Sequence, residues 1–186
     1  MSCTLTLGRK EPCKSVVGGI KNVYFVDFGD LTITYDATDT DVVQSVGSSV
    51  SSYKYELKGN SSFEQTITSS RENGTTFFEQ TLNLTLKKLT KEDNKELKLL
   101  AYGRPHVVVE DYNANLFIMG IEHGAEVSGG SIVTGAGMAD LSGYTLTFTA
   151  QETAPANFIE KTAVDETVST TLTNAGFASP TEGTNT

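Results

Sequence analysis

The sequence is short of the residues on which many binding and catalytic sites depend. Among its 186 residues there is no tryptophan, and there are only two cysteines, two histidines and four prolines. Cys3 and Cys13 stand far from both histidines, so their spacing fits neither a zinc site nor a disulfide framework. We expect two free thiols in a reducing compartment, with a disulfide between the two as the alternative.

Long apolar runs and basic runs are missing as well. No segment approaches the 18 apolar residues that indicate a membrane helix, and the opening MSCTLTLGRKEPCK lacks the apolar core of a signal peptide. The formal net charge is −9, and lysine and arginine form no cluster, which argues against a tight grip on nucleic-acid phosphates. We therefore expect a protein made in a cytoplasm, with no membrane partner.

Motifs that indicate catalysis are also lacking. Neither His106 nor His123 has metal-ligand spacing to another residue, and there is no G-x-S-x-G elbow. The glycine-rich segment 128–137 lacks the lysine of a phosphate loop. We interpret Glu110, Asp111 and Glu122 as solvated charges beside a hairpin turn, with paired carboxylates or a calcium site as the alternative. The sequence thus predicts no enzyme activity, no metal site and no cofactor.

The abundant residues favour β-structure. Threonine, serine, glycine and valine are frequent, a bias typical of strands and turns. A chain of this length suits one domain that buries roughly 70% of its unfolded surface. We predict a mainly β fold, a β-sandwich or open barrel with a long β-hairpin and one short α-helix. Its parts are an N-terminal arm (1–18), a β-sandwich domain (19–160) and an extended C-terminal tail (161–186).

A long two-stranded ribbon is the most distinctive of these elements. The Asn73-Gly74 pair lies between the alternating segments 61–70 and 75–88, which is a strong hairpin signal. Leucines fall on one face of the second strand, whereas the opposite face is polar along nearly its whole length. After the ribbon, Thr90 is a good N-cap for a short helix that Gly103 ends.

Three segments beyond the ribbon resemble those of a known family. They read LTKEDNKELKLLAYG, VVVEDYNANLFIMGIEHGAEVSGG and TGAGMADLSGYTLTFTAQETAPANF. With the order of the elements over about residues 1–160, they resemble the tail tube proteins of long-tailed bacteriophages. The resemblance implies a structural subunit of the virion tail. Such subunits form hexameric rings that stack into a hollow tube, with other tail proteins as partners, and DNA passes through without specific binding.

The resemblance also implies a role for the polar face of the ribbon. In that family, each subunit adds strands to a shared inner barrel whose lumen faces water and passing DNA. Acidic side chains there would repel phosphate and let DNA slide. The arm, the loop over 36–52 and the tail would bridge to neighbouring subunits. The expected lumen-lining residues share one face of the ribbon: Glu64, Thr66, Thr68, Glu79, Thr81, Asn83 and Thr85.

Two other kinds of protein are compatible with the same residues. Tail-terminator, connector and tube-initiator proteins reuse the fold, and a tube protein differs from them by its high copy number in the virion. A ligand- or carbohydrate-binding β-sandwich would instead be a stable monomer with clustered exposed aromatic residues. Its candidates are Tyr53, Tyr55, Phe77 and Phe78, although strand aromatics more often pack in cores or interfaces.

Overall fold

The computed structural model describes residues 7–11, 13–161 and 167–183, which form two β-sheets and two helices. The predicted mainly β fold is confirmed, as two packed sheets and not as a closed barrel over these residues. The helices are α1 (Lys91–Tyr102) and α2 (Val168–Ala175). The strands are β1 (Ile20–Val26), β2 (Thr34–Tyr35), β3 (Val42–Ser45), β4 (Tyr53–Glu56), β5 (Ser62–Ser70), β6 (Thr75–Lys87), β7 (His106–Asp111), β8 (Leu116–Met119), β9 (Glu126–Val133), β10 (Gly143–Glu152), β11 (Asn157–Ile159) and β12 (Thr181–Glu182).

The larger sheet has the strand order β12-β4-β1-β7-β8-β11-β3-β2. Its central strands β1 and β7 read IKNVYFV and HVVVED, nearly continuous apolar runs that suit strands covered on both faces. Val23, Phe25 and Val107 belong to a core shared with the smaller sheet. Tyr24 and Val108 belong to a second core that includes side chains of α2. The larger sheet therefore separates two hydrophobic cores.

The smaller sheet is antiparallel throughout, in the order β5-β6-β10-β9. The predicted hairpin is confirmed, because β5 and β6 pair at nine positions around the turn. In that turn Gly74 has a φ of 62°, a left-handed conformation that glycine adopts without steric cost. Leu82, Leu84 and Phe148 are buried against the larger sheet. One face of the smaller sheet is thereby fixed on the core.

Helix α1 follows the ribbon, as the sequence predicts. The Thr90 hydroxyl oxygen accepts a hydrogen bond from the backbone N–H of Asp93 at 3.0 Å, and Glu92 adds a favourable negative charge to the first turn. The helix ends at Gly103, whose φ of −92° is extended and not left-handed. Leu97 is buried, so α1 contacts the core through a narrow stripe.

The C-terminal segment departs from the predicted extended tail. Residues 168–175 form α2, and Leu172 and Phe177 are buried in the second core. Thr167 caps the first turn, and Gly176 ends the helix in the left-handed region at φ 107°. An isolated eight-residue helix rich in threonine is not stable in water. Packing against the larger sheet therefore supplies the stability that the local sequence does not reveal.

The segment over 36–52 also departs from the prediction, because it is not wholly a loop. It contains β3, which pairs with β2 in the antiparallel direction and with β11 in the parallel direction. Val43, Val46 and Val50 are buried in the second core. The partner strand β11 lies more than 100 residues away, so no local pattern could have indicated this pairing.

Residues 7–11 and 13–17, within the predicted N-terminal arm, are exposed and contain no helix or strand. Cys13 is an exposed free thiol, whereas Cys3 lies outside the described residues. The Asn113 side chain holds the end of the arm, since it bonds the backbone N–H and carbonyl of Val17 at 3.0 and 2.8 Å. Over the described ranges, no helix has the length and hydropathy needed to cross a membrane.

Candidate functional site on the smaller sheet

The outer face of the smaller sheet carries rows of polar side chains. Residues of one face alternate along each strand, and paired positions of neighbouring strands lie side by side. Polar residues of all four strands therefore come together on the face that points away from the core. One row that crosses the whole sheet from β5 to β9 consists of Glu64, Thr81, Thr149 and Glu126.

The structure brings all the residues expected to line a lumen onto this outer face. Those on β5 are exposed and those on β6 are half-buried, while Leu82 and Leu84 between them point into the core. None of them lies in a dry interior. Their role in a lumen stays a prediction. The residues are Glu64, Thr66, Thr68, Glu79, Thr81, Asn83 and Thr85.

Sequence reasoning missed the half of this face that β9 and β10 supply. The Thr147 hydroxyl donates to Asn83 Oδ1 at 2.9 Å, and the Ser131 and Thr145 hydroxyls lie 2.7 Å apart. The strict alternation of YTLTFTAQ contained the signal, but only the fold places it beside β6. The added residues are Ser131, Thr145, Thr147, Thr149 and Gln151.

Charge on this face is sparse and mostly negative. Glu64, Glu79 and Glu126 are its acidic residues, and Lys87 at the end of β6 is its lysine. Hydroxyl and amide groups occupy most other positions. The four strands contain no histidine or cysteine, and the face offers hydration and weak negative charge.

Both edges of the smaller sheet are open, since no other described strand pairs with the free side of β5 or β9. Ile67 on β5 and Ile132 on β9 are 65% and 62% exposed. Open edges flanked by apolar side chains are places where a strand of another chain can add. Because the sheet has four antiparallel strands, an even number, its two edge strands run in opposite directions.

Glu110 is buried, which corrects the prediction that it is a solvated charge. It is 1% exposed and accepts hydrogen bonds from Lys21 Nζ at 3.0 Å, Asn22 Nδ2 at 2.6 Å and the Tyr24 hydroxyl at 2.8 Å. Burial, and then the hydrogen bond to Glu110, raises the pKa of Tyr24, so the phenol remains a donor. This network joins β1 to β7 and lies in the larger sheet, apart from the polar face.

His106 is a buried histidine at the start of β7. Its Nδ1 lies 2.6 Å from the Gly120 carbonyl oxygen, and its Nε2 accepts from the Gly29 N–H at 3.2 Å, which places the proton of the neutral ring on Nδ1. The Phe28 ring stacks on it at 5.0 Å, and the Arg104 guanidinium covers Phe28 at 3.9 Å. Burial is the main reason that the pKa of His106 is lowered.

Mild acid is expected to destabilise the fold through His106. Its folded-state pKa lies below its value of 6.5 in the unfolded chain, so the unfolded chain binds the proton more readily. The stabilisation is full above about pH 6.5 and is lost as the pH falls through the folded-state pKa. Tm is expected to fall between about pH 7.5 and 5.5. His106→Gln is expected to reduce this fall, whereas Glu64→Gln, which changes an exposed residue on β5, is expected to preserve it. A Tm that does not change over this range would contradict the assignment.

Comparisons with known proteins found no match for this chain. No protein-family model, curated protein or solved structure matches it at a significant level.

Proposed function

We propose that this chain is the repeating subunit of a bacteriophage tail tube, a structural protein of the virion that is made in the host cytoplasm. The observation that carries the proposal is an antiparallel sheet that is polar on its outer face and open at both edges. Copies of this sheet joined edge to edge in a ring form one continuous barrel with the polar face inside. Stacked rings then form a conduit for DNA.

The directions of the edge strands support ring closure. Because β5 and β9 run in opposite directions, rotation of one copy about a ring axis sets its β5 beside β9 of the next copy as an antiparallel pair. Each such pair satisfies backbone groups that the isolated chain leaves open. The ring has no remaining edge in this layer, which removes the aggregation hazard of the single subunit.

The expected dimensions suit a conduit. Six copies, the number that the resemblance implies, of a four-stranded sheet give a barrel of about 24 strands. With strands about 4.8 Å apart and tilted by about 40°, the backbone of this barrel is about 48 Å across. Barrels of eight strands are filled by their own side chains, whereas much larger ones enclose a channel. The proposed lumen is wide enough for a DNA duplex.

The chemistry of the polar face suits passage of DNA and not its retention. Threonine hydroxyls keep the wall hydrated, and Glu64, Glu79 and Glu126 repel phosphate groups. Tight binding to DNA depends on many lysine and arginine contacts, and Lys87 is the lysine that these four strands place on the face. A conduit with this wall lets DNA slide without specific contacts.

Thiol labelling of the assembled protein tests the proposal. Negative-stain images of the concentrated chain are expected to show rings or hollow tubes. In a Cys3→Ser, Cys13→Ser background, assembly is expected to slow the reaction of Thr81→Cys with a bulky maleimide, because the thiol faces the lumen. Tyr102→Cys on α1, where the native side chain is 84% exposed, is the control and is expected to react equally fast in tubes and free subunits.

Ile132→Lys provides a reference that folds without assembling. Ile132 is exposed in the single chain, so the substitution is expected to leave its stability nearly unchanged, while a charge at an open edge blocks strand addition. In this variant, Thr81→Cys is expected to react at the free-subunit rate at every concentration. Equal rates for Thr81→Cys in tubes and free subunits, or a wild-type chain that remains monomeric when concentrated, would contradict the proposal.

A further inference from the structure

A histidine and two carboxylates meet where the larger and smaller sheets adjoin. Glu122 and His123 lie in the turn after β8, and Glu152 is the last residue of β10. One ligand atom from each lies within 4.8 Å of the other two. Glu152 is 5% exposed, whereas Glu122 and His123 are exposed. Glu152 therefore forms the buried floor of the cluster, and Glu122 and His123 lie on its solvent-exposed side.

The backbone of the turn fixes the buried carboxylate. Glu152 Oε1 accepts hydrogen bonds from the N–H groups of Glu122 and His123 at 3.2 and 3.0 Å. Its Oε2 lies 3.4 Å from His123 Nδ1. Two atoms that each lie about 2.1 Å from one tetrahedral ion are about 3.4 Å apart. The carboxylate is thus held beside the imidazole at a separation that suits two ligands of one metal ion.

Among the described residues, no lysine or arginine lies within ion-pair distance of the Glu122 or Glu152 carboxylate, and His123 is the basic neighbour of Glu152. Two neighbouring carboxylates, one of them buried, favour a bound cation. One divalent cation would neutralise both carboxylates, and the imidazole would bind it through a nitrogen lone pair.

A small cavity adjoins the two carboxylates. It has room for about 30 Å³ of solvent, and its lining includes Glu122, Glu152, Tyr35, Gln80 and Asn157. About 10–15 Å³ suffices for one water molecule, so the cavity can hold an ion's water ligand.

We propose that Glu122, His123 and Glu152 bind one divalent transition-metal cation of the zinc class, with water completing its coordination. One imidazole nitrogen with two carboxylate oxygens suits zinc better than calcium or magnesium, which prefer oxygen ligands alone. The bound ion ties the end of β10 in the smaller sheet to the turn after β8 in the larger one. The sequence predicted no metal site because folding alone brings Glu152 to His123.

Zinc titration of the metal-free full-length chain tests this site. The Cys3→Ser, Cys13→Ser background is needed because free thiols also bind zinc. Calorimetry is expected to show one zinc ion per chain, and zinc is expected to raise Tm, whereas calcium and magnesium are not. His123→Ala and Glu122→Gln are each expected to weaken zinc binding more than tenfold, since loss of an outer-sphere partner alone costs about 10–100-fold.

Glu126→Gln is the matched control, because it removes one exposed carboxylate on nearby β9 that lies outside the cluster. It is expected to bind zinc as the background protein does. Circular dichroism shows whether each variant is folded before titration. No zinc uptake by the folded background protein would overturn the site, and so would uptake that His123→Ala and Glu122→Gln leave unchanged.

Discussion

Replacing Phe148 with alanine is expected to lower the free energy of unfolding by about 3–5 kcal/mol, the range found for deletion of a large buried aromatic side chain. Phe148 is 0% exposed, and its ring lies 5.2 Å from that of Phe25 in β1. It comes from β10 and fills the core between the two sheets. Alanine removes this contact and leaves a cavity that the paired strands cannot easily close. Urea denaturation followed by circular dichroism measures the loss.

Phe148→Leu and Phe158→Ala serve as comparisons for this prediction. Leucine keeps most of the buried volume at position 148 and is expected to cost much less than alanine. Phe158 is 47% exposed, so its truncation removes less buried surface. If Phe148→Ala destabilised the chain no more than Phe158→Ala, the result would contradict the packing of Phe148 in β10 against Phe25 in β1.

Replacing Glu110 with alanine is expected to destabilise the chain by about 2–6 kcal/mol, because two buried donors lose their acceptor at a cost of about 1–3 kcal/mol each. The cost comes less from the ion pair with Lys21, whose side chain is 55% exposed and is screened by solvent. It comes mainly from the buried hydroxyl of Tyr24 and the amide of Asn22, which lose their acceptor. Asn22 Oδ1 is already buried without a hydrogen-bond partner, so this side chain would also lose the bond that its Nδ2 donates to Glu110.

Glu110→Gln and Glu64→Ala separate hydrogen bonding from charge in this prediction. Glutamine keeps an acceptor for Tyr24 or Asn22 and is expected to be less destabilising than alanine. Glu64 is exposed on β5, so its truncation is expected to change the unfolding free energy by less than about 0.5 kcal/mol. Thermal and urea denaturation provide the comparison. An effect of Glu110→Ala as small as that of Glu64→Ala would show that Glu110 is hydrated.

The parts of the fold that the sequence predicted correctly are those with local signals. The Asn73-Gly74 turn determines where β5 ends and β6 begins, and period-two alternation assigns the two faces of the ribbon without knowledge of any third strand. Thr90 likewise marks the start of α1 through its own side chain. These signals sufficed to predict the polar face of β5 and β6.

The parts that were missed depend on partners far along the chain. Glu110 stands next to a second acidic residue and a turn, so it resembles a solvated charge, yet its partners Asn22 and Tyr24 lie 88 and 86 residues away. Likewise α2 has few large apolar residues and depends on a surface built by β1, β3 and β7. The cluster around Glu152 is a third case, because the turn that completes it is 29 residues distant.

Threonine is frequent on the outer face of the smaller sheet, and it contributes separately to two properties: the preference of the strands for an extended backbone and the hydration of their surface. A β-branched carbon restricts the side chain and favours an extended backbone, while the hydroxyl on the same carbon keeps the surface wet. Valine has nearly the same shape without the hydroxyl, and serine has the hydroxyl without the branching. Exchange between threonine and valine can therefore change the hydration of this surface one position at a time without altering the strands that carry it.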